Sequence, residues 1–216
     1  MRLKTLAVVA SAAAALAFAA AASAAVILGT PGDDVLHGTP NADDIHAFAG
    51  NDQVYARGGA DVVRAGAGDD MVRAGDGSDL VYAGHGNDLA SGGNGNDRIY
   101  GGSDDDALAG GDGNDWLAGN RGDDSVSGGG GNDTLYGGWG ADRLYGGMGD
   151  DVLHALAPDG QPDLLSCGPG NDTAFVLHSE RPTTTIRGCE KVFVEISPTP
   201  DQQAGEDADA DTEADG

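Results

Sequence analysis

The sequence predicts an all-β solenoid wound from nine-residue units, and three observations carry that prediction. Asp recurs every nine residues, fourteen times without a miss: Asp34, Asp43, Asp52, Asp61, Asp70, Asp79, Asp88, Asp97, Asp106, Asp115, Asp124, Asp133, Asp142 and Asp151. Two residues after each stands an apolar residue, from Leu36 and Ile45 to Leu144 and Leu153; thirteen of these fourteen are Leu, Ile or Val, and the exception is Ala90. The fourth position of each unit is Gly in twelve of fourteen cases, with Asn41 and Asp104 the exceptions. A carboxylate and an apolar residue held in one phase over residues 29–154 mark a repeat architecture.

Residues 1–24 read as a secretory signal. Arg2 and Lys4 give a short positive end, Leu6 to Ala22 is apolar and Ala-rich, and Ala22-Ser23-Ala24 is an A-x-A cleavage site. The stretch is short and weakly hydrophobic, so cleavage is expected rather than a stable membrane span.

Each following unit supplies a glycine-rich turn, then three residues in extended form. Gly suits the turn because positive φ carries no steric penalty, and Asn and Asp are the next most tolerant residues. Positions seven to nine should alternate out, in, out, as a short strand does. One unit cannot close a coil, but two give an 18-residue turn with two facing strands. Fourteen units then predict seven coils, with the position-eight side chains filling a thin interior.

After His154 the phase breaks at Pro158, Gly160 and Pro162, although Asp163-Leu164-Leu165 and Asp172-Thr173-Ala174 echo the unit nine residues apart. Residues 155–196 are expected to form a small C-terminal cap, with Phe175 and Phe193 covering the open end, since solenoids need such shielding. Cys167 and Cys189, the two cysteines of the chain, are expected to pair as a disulfide in an exported protein. Residues 197–216, proline-bearing and acidic, read as a disordered, solvated tail.

Composition sets the outer limits. The chain is 39% hydrophobic, only 5% aromatic, and has 38 glycines, which is poor material for an ordinary globular core. A formal net charge of −25 excludes nucleic acid, whose phosphates need clustered Lys and Arg, and favours multivalent cations. Low hydrophobicity with high charge is also the signature of disorder, which fits a chain that orders only when a cation is present.

The units, such as Gly92-Gly93-Asn94-Gly95-Asn96-Asp97-Arg98-Ile99-Tyr100, resemble the hemolysin-type, or repeats-in-toxin (RTX), calcium-binding nonapeptide G-G-x-G-x-D-x-(apolar)-x. The resemblance implies a parallel β-roll with Ca²⁺ between successive turns, held by the fourteen Asp carboxylates and by loop carbonyls. Phe48 and Arg57 depart from it by replacing the second glycine, and position one is Ala from Ala47 to Ala83.

Physical chemistry supports the same ion. In such a roll, Asp residues 18 apart stack in two columns, and like charges about 5 Å apart repel by roughly 0.8 kcal/mol per pair even in water. A cation between them turns repulsion into attraction, so folding on binding is expected. Carboxylates with backbone carbonyls in irregular geometry suit Ca²⁺ better than Mg²⁺. Zinc is not expected, because the repeats lack Cys.

One outer face should collect His46, Arg64, Tyr82, Tyr100, Ala118, Tyr136 and His154 at position nine, with Arg98 and Trp116 beside them. Such a ladder can stack on a cell-wall or matrix polysaccharide, while cross-coil packing on a β surface, where Tyr is favoured, is the simpler account of it. No H-E-x-x-H or G-x-S-x-G motif is present. The expectation is a secreted, non-enzymatic calcium-binding protein with a structural or adhesive role outside the cell. The alternative is an accessory or remnant module of a secreted enzyme or toxin of the protease, lipase, epimerase or pore-former type.

Overall fold

The computed structural model describes residues 7–9, 24–179 and 181–195. The described elements are all strands, wound as a parallel solenoid of about nine coils, two more than the fourteen units alone predict. From Val26 onward, successive strands fall alternately into two sheets. One runs from Val26–Leu28 and Asp44–Ala49 through Leu80–His85, Arg98–Ser103 and Trp116–Arg121 to Lys191–Glu195. The other runs from Val35–His37 through Met71–Asp76 and Ala107–Asp112 to Thr185–Arg187. Neighbours pair 18 residues apart, as in Arg98↔Trp116 and Ile99↔Leu117. Ala7–Val9, inside the expected signal segment, pairs with Val26–Leu28. The rest of that segment before residue 24, and the acidic tail, lie outside the described residues.

The strands are longer than expected. Most span six residues, such as Leu80–His85, because positions one to three of the next unit extend the parallel ladder, as in Gly102↔Gly84. This close stacking explains the glycine at position two. At Gly102 φ is +123°, and a Cβ would clash with the carbonyl of Gly84. Phe48 and Arg57 adopt the same left-handed conformation at φ 80° and 85°, at a cost of roughly 1–2 kcal/mol each.

The core is a single file of position-eight and position-one side chains. Leu36, Ile45, Val54 and their successors to Leu153 are buried, as are Ala47, Ala56, Ala65, Ala74 and Ala83. Positions eight and one lie two apart on the same strand and both point inward. Four consecutive strands carry Val with Ala: Val54/Ala56, Val63/Ala65, Val72/Ala74 and Val81/Ala83. Five later strands carry a larger residue with Gly, namely Ile99/Gly101, Leu108/Gly110, Leu117/Gly119, Leu135/Gly137 and Leu144/Gly146, while Ala90/Gly92 and Val126/Gly128 are smaller and Ile45/Ala47 is larger. On those five strands the methyl lost at position one is regained at position eight.

The segment expected as a cap carries further coils of the same two sheets. Register steps of 21 replace 18 at Leu144↔Leu165, Leu153↔Ala174 and Leu165↔Ile186, and the spacing returns to 18 at Ala174↔Val192. The break seen in the sequence at Pro158–Pro162 is therefore an insertion within the winding. Cys167 and Cys189 form the expected disulfide, with Cα atoms 5.2 Å apart.

Phe175 and Phe193 do not cover the open end. They point outward and extend the aromatic column, with rings 5.2 Å apart, because each occupies position nine of its coil. Ala118 holds the expected outer position, in register between Tyr100 and Tyr136, and is buried there. Trp116, two residues earlier, leans across it and joins Tyr100 to Tyr136 at 4.9 and 5.2 Å.

Candidate metal-binding ladder

All fourteen repeat Asp residues are buried, at 5% exposure or less. Each closes a turn at position six, immediately before the strand begins, so the parallel register stacks those of alternate units one coil apart. From Asp34 onward, the backbone N–H of one Asp donates to Oδ1 of the Asp a coil later: Asp34 to Asp52, Asp52 to Asp70, Asp97 to Asp115, Asp115 to Asp133, each at 2.7–2.8 Å. Two columns result, as the spacing predicts.

The second carboxylate oxygen is the distinctive feature. Oδ2 of Asp52, Asp61, Asp70, Asp79, Asp88, Asp97, Asp106, Asp115, Asp124, Asp133 and Asp151 is buried with no hydrogen-bond partner. A buried charged oxygen without a partner is costly and calls for a counter-charge or a proton. Burial accordingly pushes the carboxyl groups upward, with neighbouring carboxylates adding to it and the ladder hydrogen bond opposing it. Asp52 and Asp133 reach about 7, and Asp88 and Asp124 about 9.

Backbone oxygens converge on the same place. A methyl built on Gly110 would meet Asp115 Oδ2 and the Gly128 carbonyl; on Gly128 it would meet Asp133 Oδ2 and the Gly146 carbonyl. Glycine leaves the space that brings a carboxylate and a carbonyl together. Hard, anionic and carbonyl oxygens side by side are a donor set that fits Ca²⁺. Among the described residues no three His, Cys, Asp or Glu side chains gather at one point.

Asp34 and Asp43 differ from the rest. Thr30 donates to Asp34 Oδ2 from its N–H and from its hydroxyl, at 2.5 and 2.9 Å. Thr39 donates its N–H to Asp43 Oδ2 at 2.6 Å and its hydroxyl to Oδ1 at 3.1 Å. Threonine at position two thus supplies internally what later units lack. Asp142 lies in the ladder, donating to Asp163 and accepting from Asp124.

Three acidic rungs escaped the sequence reading. Asp142 N–H donates to Asp163 Oδ1, Asp151 to Asp172 Oδ1, and Asp172 to Glu190 Oε2, at 3.0, 2.8 and 2.7 Å. The Asp163–Asp172 echo was the available signal, and the insertion before it hid the phase. A second ladder, at position five, was also missed. There the N–H donates backward, as from Asn114 to Asn96 Oδ1 and from Asn132 to Asn114 Oδ1, at 2.8 and 2.7 Å. Its signal was the recurrent Asn or Asp preceding the invariant Asp.

This is a parallel β-roll with a buried acidic ladder along its turns. The family model of the RTX calcium-binding nonapeptide repeat matches in four copies, at residues 28–63, 55–90, 82–117 and 118–153. The chain belongs to that calcium-binding repeat family. No curated protein matches it.

Proposed function

We propose that this is a secreted protein whose roll folds on binding several Ca²⁺ ions, with a structural or adhesive role outside the cell and no catalytic activity. The carboxylates from Asp52 to Asp151 and the turn carbonyls beside them are its ligands, while Asp34 and Asp43 form the threonine-capped start of the columns. The buried, partnerless Oδ2 row carries this reading. Bound calcium neutralises the stacked charge, and the chain aligns the oxygens through the ladder hydrogen bonds. Export is supported by the signal-like segment at residues 1–24 and by the disulfide. Among the described residues no helix is long and apolar enough to cross a membrane.

The test is circular dichroism of the purified chain during Ca²⁺ titration. A cooperative gain of β signal, reversed by EGTA, is expected; an unchanged signal after exhaustive chelation overturns the proposal. Activity screens of the calcium-loaded chain address the alternative of an enzyme or toxin module.

The aromatic column supports a second reading for the adhesive role. Stacks link Tyr82, Tyr100, Trp116, Tyr136, His154, Phe175 and Phe193 with centroids 4.3–5.2 Å apart. Rings aligned along one face suit the apolar faces of sugars in a cell-wall or matrix polysaccharide. Replacing Tyr82, Tyr100 and Tyr136 with Ser should abolish calcium-dependent pull-down on such polymers without altering calcium-induced folding.

A further inference from the structure

The family-matched units end at residue 153, but the acidic column does not. The sequence Cys167-Gly168-Pro169-Gly170-Asn171-Asp172 is a full turn with Cys at position one. Asp172 receives the N–H of Asp151 on Oδ1, is completely buried, and has an Oδ2 with no hydrogen-bond partner. Its own N–H donates to Glu190 Oε2, 18 residues on, so Glu190 stands where the repeat would place the next Asp.

The turn that carries Asp172 also completes the rung before it: a methyl on Gly146 would meet Asp151 Oδ2 and the Cys167 carbonyl. That is the carboxylate-and-carbonyl pairing found at Gly110 and Gly128. Cys167 is covalently tied to Cys189, the neighbour of Glu190. The crosslink therefore joins one coil to the next at the point where the last carboxylate must be held in register. Glu190 is exposed and a methylene longer than Asp, so without that anchor its side chain has many rotamers to lose.

We infer that Asp172 and Glu190 form an additional site for a hard divalent cation at the C-terminal end of the roll, clamped by the Cys167–Cys189 disulfide. The inference rests on the reading that the roll binds calcium. The ligands are Asp172 Oδ2, the Glu190 carboxylate and turn carbonyls. Glu190 being exposed, this site empties first as calcium falls.

The test counts ions bound to the full chain at saturating Ca²⁺ by native mass spectrometry, with isothermal titration calorimetry for affinity. Glu190→Gln keeps an oxygen to accept the Asp172 N–H but removes the charge. It should lower the stoichiometry by one while leaving the calcium-induced β signal in place. Asp172→Asn should lose the same ion, and the double variant should lose no more than either. Replacing both cysteines with Ser should weaken this site several-fold and leave the others unchanged. A wild-type chain that binds no calcium overturns the function proposed above together with this site. A wild-type chain that binds calcium, with the same ion count in Glu190→Gln, overturns this site alone. An unchanged affinity in the cysteine-free chain removes the disulfide from its clamping role.

Discussion

The backbone N–H of Asp97 donates to Oδ1 of Asp115 one coil later at 2.8 Å, and Asp115 Oδ2 is left buried with no partner. One oxygen of the same carboxylate builds the ladder and the other calls for a counter-charge. The two roles separate in Asp115→Asn. The amide oxygen still accepts the Asp97 N–H, while the negative charge disappears. Without calcium the variant should be more stable than the parent by about 1 kcal/mol, the scale of relieved repulsion between stacked carboxylates. With calcium it should be less stable, its titration midpoint shifted upward several-fold. Osmolyte-induced folding in EGTA and denaturant unfolding in calcium check the two signs. A variant less stable in EGTA would show that the carboxylate serves packing alone.

Protons should substitute for calcium. Burial raises the folded-state carboxyls from 3.8 to about 6 at Asp70, Asp79, Asp115 and Asp151, about 7 at Asp61 and Asp106, and about 9 at Asp88 and Asp124. A folded pKa above the unfolded one means that the folded state holds more protons across that window. Stability of the metal-free roll is then greatest below the unfolded value and falls as pH rises through the folded values. In EGTA the β signal should be absent near pH 9 and should return as pH drops toward about 4, with a thermal midpoint that rises on the acid side, and saturating calcium should flatten the pH dependence near neutrality. A metal-free midpoint that increases with pH would contradict the protonation argument.

Much of this was legible in the sequence, and what was not has identifiable physical causes. The phase of Asp and the position-eight residues predicted the two-strand coil, the core from Leu36 to Leu153 and the two carboxylate columns. Strand length was underestimated because glycine reads as turn, whereas Gly84 and Gly102 pair across coils. Phe175 and Phe193 were misplaced because apolar residues near a chain end suggest a lid, and only the register of Phe175↔Phe193 shows that they share an outward column. Asp172 and Glu190 were hidden by insertions that shift phase without ending the winding. The division of labour between Thr30 or Thr39 and the glycines that follow depends on which carboxylate oxygen faces which donor, and periodicity carries no such information.

Those threonines predict a contrast with the rest of the ladder. Thr39→Val retains the branched shape and the backbone donor but removes the hydroxyl that donates to Asp43. Losing one hydrogen bond to a buried carboxylate should cost about 1–3 kcal/mol. Calcium should not compensate, because no ion is assigned to that rung, so the loss should be of similar size at saturating calcium and at the lowest calcium that keeps the roll folded. Chemical denaturation under both conditions measures it. A deficit that vanishes as calcium is raised would place an ion at Asp43 and move the start of the metal column to the first coil.

The paired choice of residues along each strand gives a test that is independent of metal. Val72 and Ala74 point into the interior from one strand, and both are buried. On the equivalent strand at Leu108 the partner is Gly110. Val72→Leu alone adds a methylene to a filled section, and overpacking of this kind costs about 1–3 kcal/mol. Ala74→Gly alone removes a buried methyl and adds backbone freedom, together about 1–2 kcal/mol. Made together, the two changes restore the volume balance used further along the roll. The double variant should therefore be more stable than the sum of the single losses implies, with a coupling of about 1 kcal/mol, within the range for residues in contact. Denaturation of the four proteins in saturating calcium completes the cycle. Strict additivity would mean that the alternation of Val/Ala and Leu/Gly does not reflect shared interior space.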